Sequence, residues 1–179
     1  LGLAEQARAF AAQELGLPES RSFRKYADLE RPYAVWNVVA TAEFSVEPRR
    51  WCFPVAGCVA YRGYFDEANA RAVAQRLARR GDDVAVGGVA TYSTLGRLPD
   101  PVFNTMLGWA EARFVGTIFH ELAHERLYVA GDSEFSEAFA SVVEREGVQR
   151  WLRARGQAEE AREYLASLAR EAGFVALLR

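Results

Sequence analysis

The sequence predicts an α+β domain. A small antiparallel sheet comes first, then a long helix, then a second helix that carries glutamates. Residues 33–46 and 84–91 are rich in β-branched and aromatic side chains, the composition of half-buried strands. Further on, Phe114, Val115, Ile118 and Leu122 fall at three- and four-residue steps, the stripe of a helix packed on a core. From residue 133 onward the pattern stays helical, with Gly156 as the only obvious break. With 179 residues, half of them apolar, the chain suits a single domain over residues 1–179 with a sizeable core.

Taken in order, residues 3–15 read as a helix, with Leu3, Ala7, Phe10, Ala11 and Glu14 at helical steps and Gly16 as its stop. Pro18 and residues 20–22 form a connector. The strand at 33–46 is ended by Pro48, and 51–61 reads as its hairpin partner. Asp66 can cap a helix whose stripe includes Ala70, Val73 and Leu77, closed by Gly81. The strand at 84–91 alternates around Gly87 and Gly88, and glycines within a strand mark a bulge or a close backbone approach. Residues 94–100 form a loop, and Pro101 is acceptable in the first turn of the long helix. Two more helices are expected over 133–155 and 157–172.

Charge and cysteines bound the function. The net charge is −2, and acids and bases are interspersed beyond Arg79-Arg80, which argues against a nucleic-acid surface. No stretch is long or apolar enough to cross a membrane. Cys52 and Cys58 could pair around Pro54 and Gly57 in an oxidising compartment, or remain as two buried thiols; spacing leaves both open.

The chemistry concentrates at His120-Glu121-Leu122-Ala123-His124, which holds the only histidines of the chain. Four residues apart on a helix, the two imidazoles point the same way and can grip one Zn²⁺. Glu121 then stands beside the ion, where a base acting on water must be. A pair of structural histidines would need no glutamate between them. Both histidines lie at one edge of the apolar stripe, on the side of the helix that faces a cleft.

A catalytic zinc needs a third protein ligand. No third histidine exists, and Leu127 and Ala130 occupy the places of the extended motif with a glycine and a further histidine. A carboxylate from the segment just downstream is expected instead. Gly131 suits a left-handed stop after the motif helix, and Asp132 or Ser133 can cap the next one. Glu134 and Glu137 share a face of that helix. Glu137 is favoured, because it stands a full turn inside and is followed by the small Ala138 and Ala140. Glu134 in the first turn suits the helix dipole, a hydrogen bond to a ligating histidine, or a substrate amine.

His120-Glu121-Leu122-Ala123-His124 followed by Ser136-Glu137-Ala138-Phe139-Ala140 resembles the gluzincin arrangement of H-E-x-x-H and N-E-x-x-A, with Ser136 where asparagine is frequent. The shorter spacing between the two helices sets it apart from thermolysin. Together with Tyr61-Arg62-Gly63-Tyr64-Phe65, with Val89-Ala90-Thr91-Tyr92-Ser93-Thr94-Leu95-Gly96 and with the run from Phe135 to Gly147, the chain resembles a bacterial family described as putative aminopeptidases. The resemblance implies a zincin-like fold and one Zn²⁺ held by His120, His124 and Glu137. It implies a peptide substrate, with Glu121 moving a proton from water to the leaving amine. It also implies the cell envelope or periplasm of Gram-negative bacteria and a longer precursor, with the cytoplasm as the alternative compartment. Gly88 to Tyr92 becomes a candidate edge strand for an extended peptide, beside the plainer reading of an ordinary edge.

Amide hydrolysis passes through an anionic state that needs a donor. With both histidines engaged, Tyr92 and Tyr128 are the candidates, each with the alternative of a packing residue that keeps its hydroxyl wet. Two other functions stay open: a zinc endopeptidase, and a metal-binding scaffold or peptide-binding module without catalysis.

Overall fold

Two apolar surfaces organise the chain, one shared by helices and one shared by a sheet and a single helix. The computed structural model describes residues 1–53, 57–94 and 96–177. In chain order the elements are α1 (Gly2–Glu14), β1 (Tyr26–Ala27), β2 (Val35–Ala42), β3 (Trp51–Phe53), β4 (Gly57–Val59), β5 (Arg62–Tyr64), α2 (Glu67–Ala78), β6 (Asp82–Val89), β7 (Val102–Phe103), a 3₁₀ turn (Asn104–Met106), α3 (Glu111–Arg126), α4 (Ser133–Ala154) and α5 (Ala158–Leu177). The fold is therefore α+β, as the sequence predicts.

The larger core lies among the helices. Ala4, Ala7 and Ala11 are fully buried on α1, and their small size lets that helix lie close to its neighbours. Phe10 meets the rings of Phe119 and Trp151 at centroid distances of 5.9 and 5.3 Å, joining α1, α3 and α4. Val115, Ile118, Phe119 and Leu122 of α3 are fully buried in the same cluster.

The sheet has the antiparallel order β5-β2-β6. Alternation along β2 buries Trp36 and Val38 on one face, against Ala70 of α2, with Val84 and Val86 of β6 beside them. This apolar face packs on α2, not on the motif helix α3. The opposite face, with Val35 and Asn37, lines a cleft in front of α3. The stripe that the apolar face covers is thus supplied by α2, while Val35 on the other face packs against the helical core beside the cleft.

The helix boundaries follow their caps. Asp66 accepts the Asn69 N–H at 2.8 Å, and Gly16, Gly81 and Gly156 take the positive φ of helix stops. The strands depart further from expectation. β2 ends at Ala42, because Phe44 adopts φ +60° in a tight turn that leaves Phe44 and Val46 96 % and 97 % exposed. Among the described residues, 51–53 and 57–61 do not partner β2. β3 and β4 pair with each other, Cys52 faces Cys58 across them, and a disulfide joins the two. The partner of β2 on that side is β5. Pro54, in the expected loop between the cysteines, and Leu95 lie outside the described residues.

Pro101 does not start the long helix either. Val102 and Phe103 are buried and pair in parallel with Tyr26 and Ala27, and Gly108 at φ +80° turns the chain before α3 begins at Glu111. Gly131 has the expected left-handed φ of +89°, but α3 already ends at Arg126 with an extended Leu127 as its cap. Gly131 thus shapes the loop and does not stop the helix. The last helix, expected over 157–172, runs on to Leu177.

Candidate metal centre

His120, Glu121 and His124 sit in the last two turns of α3, held by the buried stripe behind them. The chain then reverses through residues 127–132. Ser136 braces this reversal: its Oγ accepts the Val129 N–H at 3.0 Å and donates to the Asp132 carbonyl at 2.9 Å. Asp132 caps α4 by accepting the Phe135 N–H at 3.0 Å, which places Glu137 a full turn inside the helix.

Small residues bring α4 against α3. A Cβ on Gly147 would lie 2.7 Å from the Phe119 ring, and one on Gly116 would lie 3.1 Å from Val148 and 3.2 Å from Glu144. Ala140 is fully buried. The glycines therefore set the distance between the two helices that carry the site.

That distance brings three side chains together. His120 Nε2 lies 3.1 Å from His124 Nε2 and 3.2 Å from Glu137 Oε2, and His124 Nε2 lies 3.4 Å from Glu137 Oε1. Tetrahedral zinc with bonds of about 2.0–2.1 Å separates its ligands by about 3.3 Å, so the donor set and its spacing fit that ion. His120 has a further partner: its Nδ1 lies 3.0 Å from Glu144 Oε2, seven residues beyond Glu137 on α4. A proton on Nδ1 shared with Glu144 leaves the Nε2 lone pair facing the other two donors.

In this cluster burial works against a charge on His120. Hydrogen bonds to Glu137 and Glu144, with the nearby carboxylates of Glu121 and Glu144, outweigh it and raise the imidazole to about 10. The hydrogen bonds to His120 and His124 hold Glu137 down at about 2. Glu121 is moved the other way. Burial raises its carboxyl above the ordinary range, against the opposing pull of both histidines and a hydrogen bond from Ser93.

The four residues open into a cleft of about 390 Å³, whose far wall is formed by Val35, Asn37 and Gly63 of the sheet together with Phe65. Tyr92 lines it too, its ring stacked on Phe103 at 5.4 Å and meeting Phe65 edge-on. The Tyr128 ring lies 6.0 Å from that of His124. Glu134 is exposed, and among the described residues no hydrogen bond or ion pair joins it to either histidine. The carboxylate behind His120 is Glu144 instead.

Sequence reasoning missed three neighbours of the site. Glu144 is one. Tyr61 lines the cleft, and its hydroxyl is raised by burial and by Glu137, Tyr128 and Glu121, so it keeps its proton. Ser93 stands between Glu121 and the buried Asp100, with one hydroxyl proton to offer either carboxylate; Asp100 Oδ2 lies 3.2 Å from Ser93 Oγ and accepts the Thr94 N–H at 2.8 Å. The same loop is tied to Glu125 on α3: Ser22 Oγ donates to Glu125 at 3.0 Å and accepts the Asp100 N–H at 3.2 Å. No spacing rule links residue 93 to residue 121; only the serines of the connector at 20–22 hinted at a hydrogen-bonded turn.

Two helical histidines and a glutamate from the next helix form a donor set that could hold a metal ion, with the half-buried Glu121 beside it in the cleft. The chain belongs to the family described as "putative aminopeptidase", whose model matches residues 1–179. No curated protein and no solved structure matches it.

Proposed function

We propose that this chain is a zinc-dependent peptidase with a gluzincin-like centre, and that it acts as an aminopeptidase. The observation that carries the reading is the convergence of His120 Nε2, His124 Nε2 and Glu137 within 3.1–3.4 Å, with the half-buried Glu121 beside them in the cleft. His120, His124 and Glu137 hold the ion. Bound there, zinc supplies Lewis-acid polarisation of the scissile carbonyl and increases the acidity of water.

Glu121 does the proton work. Its carboxylate takes a proton from the attacking water and returns it to the nitrogen of the departing amine, and its raised proton affinity suits both halves of that task. Ser93 orients the carboxylate. The Tyr61 hydroxyl, still protonated at neutral pH, donates to the developing oxyanion, with Tyr92 and Tyr128 as the other tyrosines within reach of the cleft. Glu144 holds His120 in the metal-binding tautomer. The Cys52–Cys58 disulfide favours an oxidising compartment, in keeping with the bacterial envelope.

The second reading, an endopeptidase, has a specific observation behind it. Among the described residues lining the cleft, the only carboxylates are Glu121 and Glu137. Neither is spare for a substrate's free α-ammonium group. Hydrolysis of a peptide with a free amino terminus, compared with its N-acetylated form, decides between the two. Preference for the free form supports the aminopeptidase, and equal cleavage supports the endopeptidase. Cleavage of neither by zinc-loaded protein contradicts both.

A further inference from the structure

Three residues of the sheet break the composition rules of the strands they occupy. Asn37 stands inside β2, Gly63 in the middle of β5 and Gly87 inside β6. Asparagine and glycine are depleted in strand interiors, and such breaches concentrate where function overrides local preference. Register places Asn37 directly opposite Gly63 on one side and Gly87 on the other. Direct cross-strand partners share a face. It is not the face of Trp36 and Val38, which packs on α2. It is the cleft face, where Asn37 and Gly63 line the same cavity as His120, Glu121, His124 and Glu137.

Packing accounts for Gly88 and constrains Gly63, but it explains neither Gly87 nor Asn37. A Cβ on Gly88 would lie 2.3 Å from the Tyr33 ring, so Gly88 makes room for an aromatic side chain. A Cβ on Gly87 would meet nothing within 4 Å. On Gly63 it would press on Asn37 Oδ1 at 3.2 Å and Val35 at 2.9 Å, so Gly63 is bare where the Asn37 side chain lies. Asn37 is half-buried, and among the described residues no protein group hydrogen-bonds its carboxamide. A single carboxamide thus rises from a row otherwise stripped of side chains, across the cleft from His120, His124 and Glu137.

A carboxamide presents a donor and an acceptor side by side, the complement of a peptide group's C=O and N–H. We infer that Asn37 binds one main-chain peptide group of the substrate, which lies across the bare row Gly63–Asn37–Gly87. The bound group is not the scissile one, because the scissile carbonyl must reach the centre on the facing helices. The inference rests on the peptidase reading and adds to it a binding subsite on the sheet floor. It commits the substrate to a peptide of at least two peptide bonds.

The test uses a hexapeptide that the zinc-loaded wild-type protein cleaves, together with analogues N-methylated in turn at each non-scissile amide. In the wild type, one position should lose roughly 3- to 10-fold in kcat/KM, the effect of one neutral hydrogen bond, mostly through KM. Asn37→Ala should show that loss on the unmodified peptide and no further loss at that position, the non-additivity of a direct contact. Gly87→Val adds a β-branched side chain in open space beside Asn37 and should raise KM for the unmodified peptide with zinc binding unchanged. Equal sensitivity to every N-methyl group in wild type and Asn37→Ala, or an unchanged KM in both variants, overturns the inference while leaving the peptidase reading intact. Failure of the wild-type protein to cleave any peptide removes that reading, and the inference with it.

Discussion

His120 Nδ1 and Glu144 Oε2 lie 3.0 Å apart although they belong to different helices, and this pair sets the direction in which the imidazole presents its other nitrogen. His124 has no comparable arrangement: its Nδ1 is buried without a hydrogen-bond partner among the described residues. The two histidines of the motif are therefore held unequally, and His120 depends on α4 twice, through Glu137 and through Glu144.

Glu144→Ala should weaken zinc binding roughly 10- to 100-fold, the usual effect of losing a carboxylate behind a ligating histidine. Competition with a chromogenic chelator measures it. An unchanged affinity would show that His120 needs no such support.

Glu121→Gln should keep the zinc and lose turnover by roughly a hundred- to ten-thousandfold, because the amide preserves shape but cannot accept the proton. Metal content and peptide hydrolysis measured on one preparation separate the two effects. Loss of zinc in this variant would make Glu121 a ligand instead of a base.

The pH dependence of the metal-free protein follows from the His120–Glu137 pair. His120 rises from 6.5 to about 10 on folding, so its contribution to stability is complete below pH 6.5 and is lost as pH rises through about 10. Glu137 falls from 4.5 to about 2, so its contribution is present above pH 4.5 and is lost as pH falls through about 2. Thermal melting of the metal-free chain should show this plateau between the two limits. Zinc competes with the same proton on His120, so zinc affinity should rise with pH across the neutral range. A zinc affinity independent of pH between about 7 and 9, where metal-free His120 still holds the proton that zinc must displace, would contradict the assignment of His120 as a ligand.

Gly147→Val should destabilise the fold by about 1–3 kcal/mol, since the added atoms press on Phe119 and Leu15 where α4 meets α3 and α1. Chemical denaturation measures the loss. Because Gly147 and Gly116 set the spacing of the two ligand-bearing helices, zinc affinity should fall with it.

Much of the site was legible because its chemistry is local. His120, Glu121 and His124 share one helix, and their spacing alone turns them to one side. Glu137 follows after a single capped turn, so Asp132 and helix geometry bring it into reach. Glu144 was not legible. It stands on a helix with several glutamates, and only the close crossing permitted by Gly116 and Gly147 decides which of them meets His120. Ser93 and Tyr61 reach the site through long-range packing, which local spacing does not encode. The same division holds for the fold. Helix ends carry their own signals in Asp66, Gly16, Gly81 and Gly156, whereas strand pairing depends on distant partners. Residues 51–61 read as the hairpin partner of β2 because they follow it in sequence. The Cys52–Cys58 disulfide, one of the two readings that the spacing left open, joins β3 to β4, and the pairing of β2 with β5 depends on the α2 face, which no local pattern reveals.

The most direct measurement is anomalous diffraction at the zinc absorption edge from crystals of the zinc-loaded protein. A single peak within about 2.0–2.2 Å of His120 Nε2, His124 Nε2 and a Glu137 oxygen, with Glu121 outside the coordination sphere, is the predicted result. A peak on other residues, or none at this cluster at saturating zinc, would contradict the account.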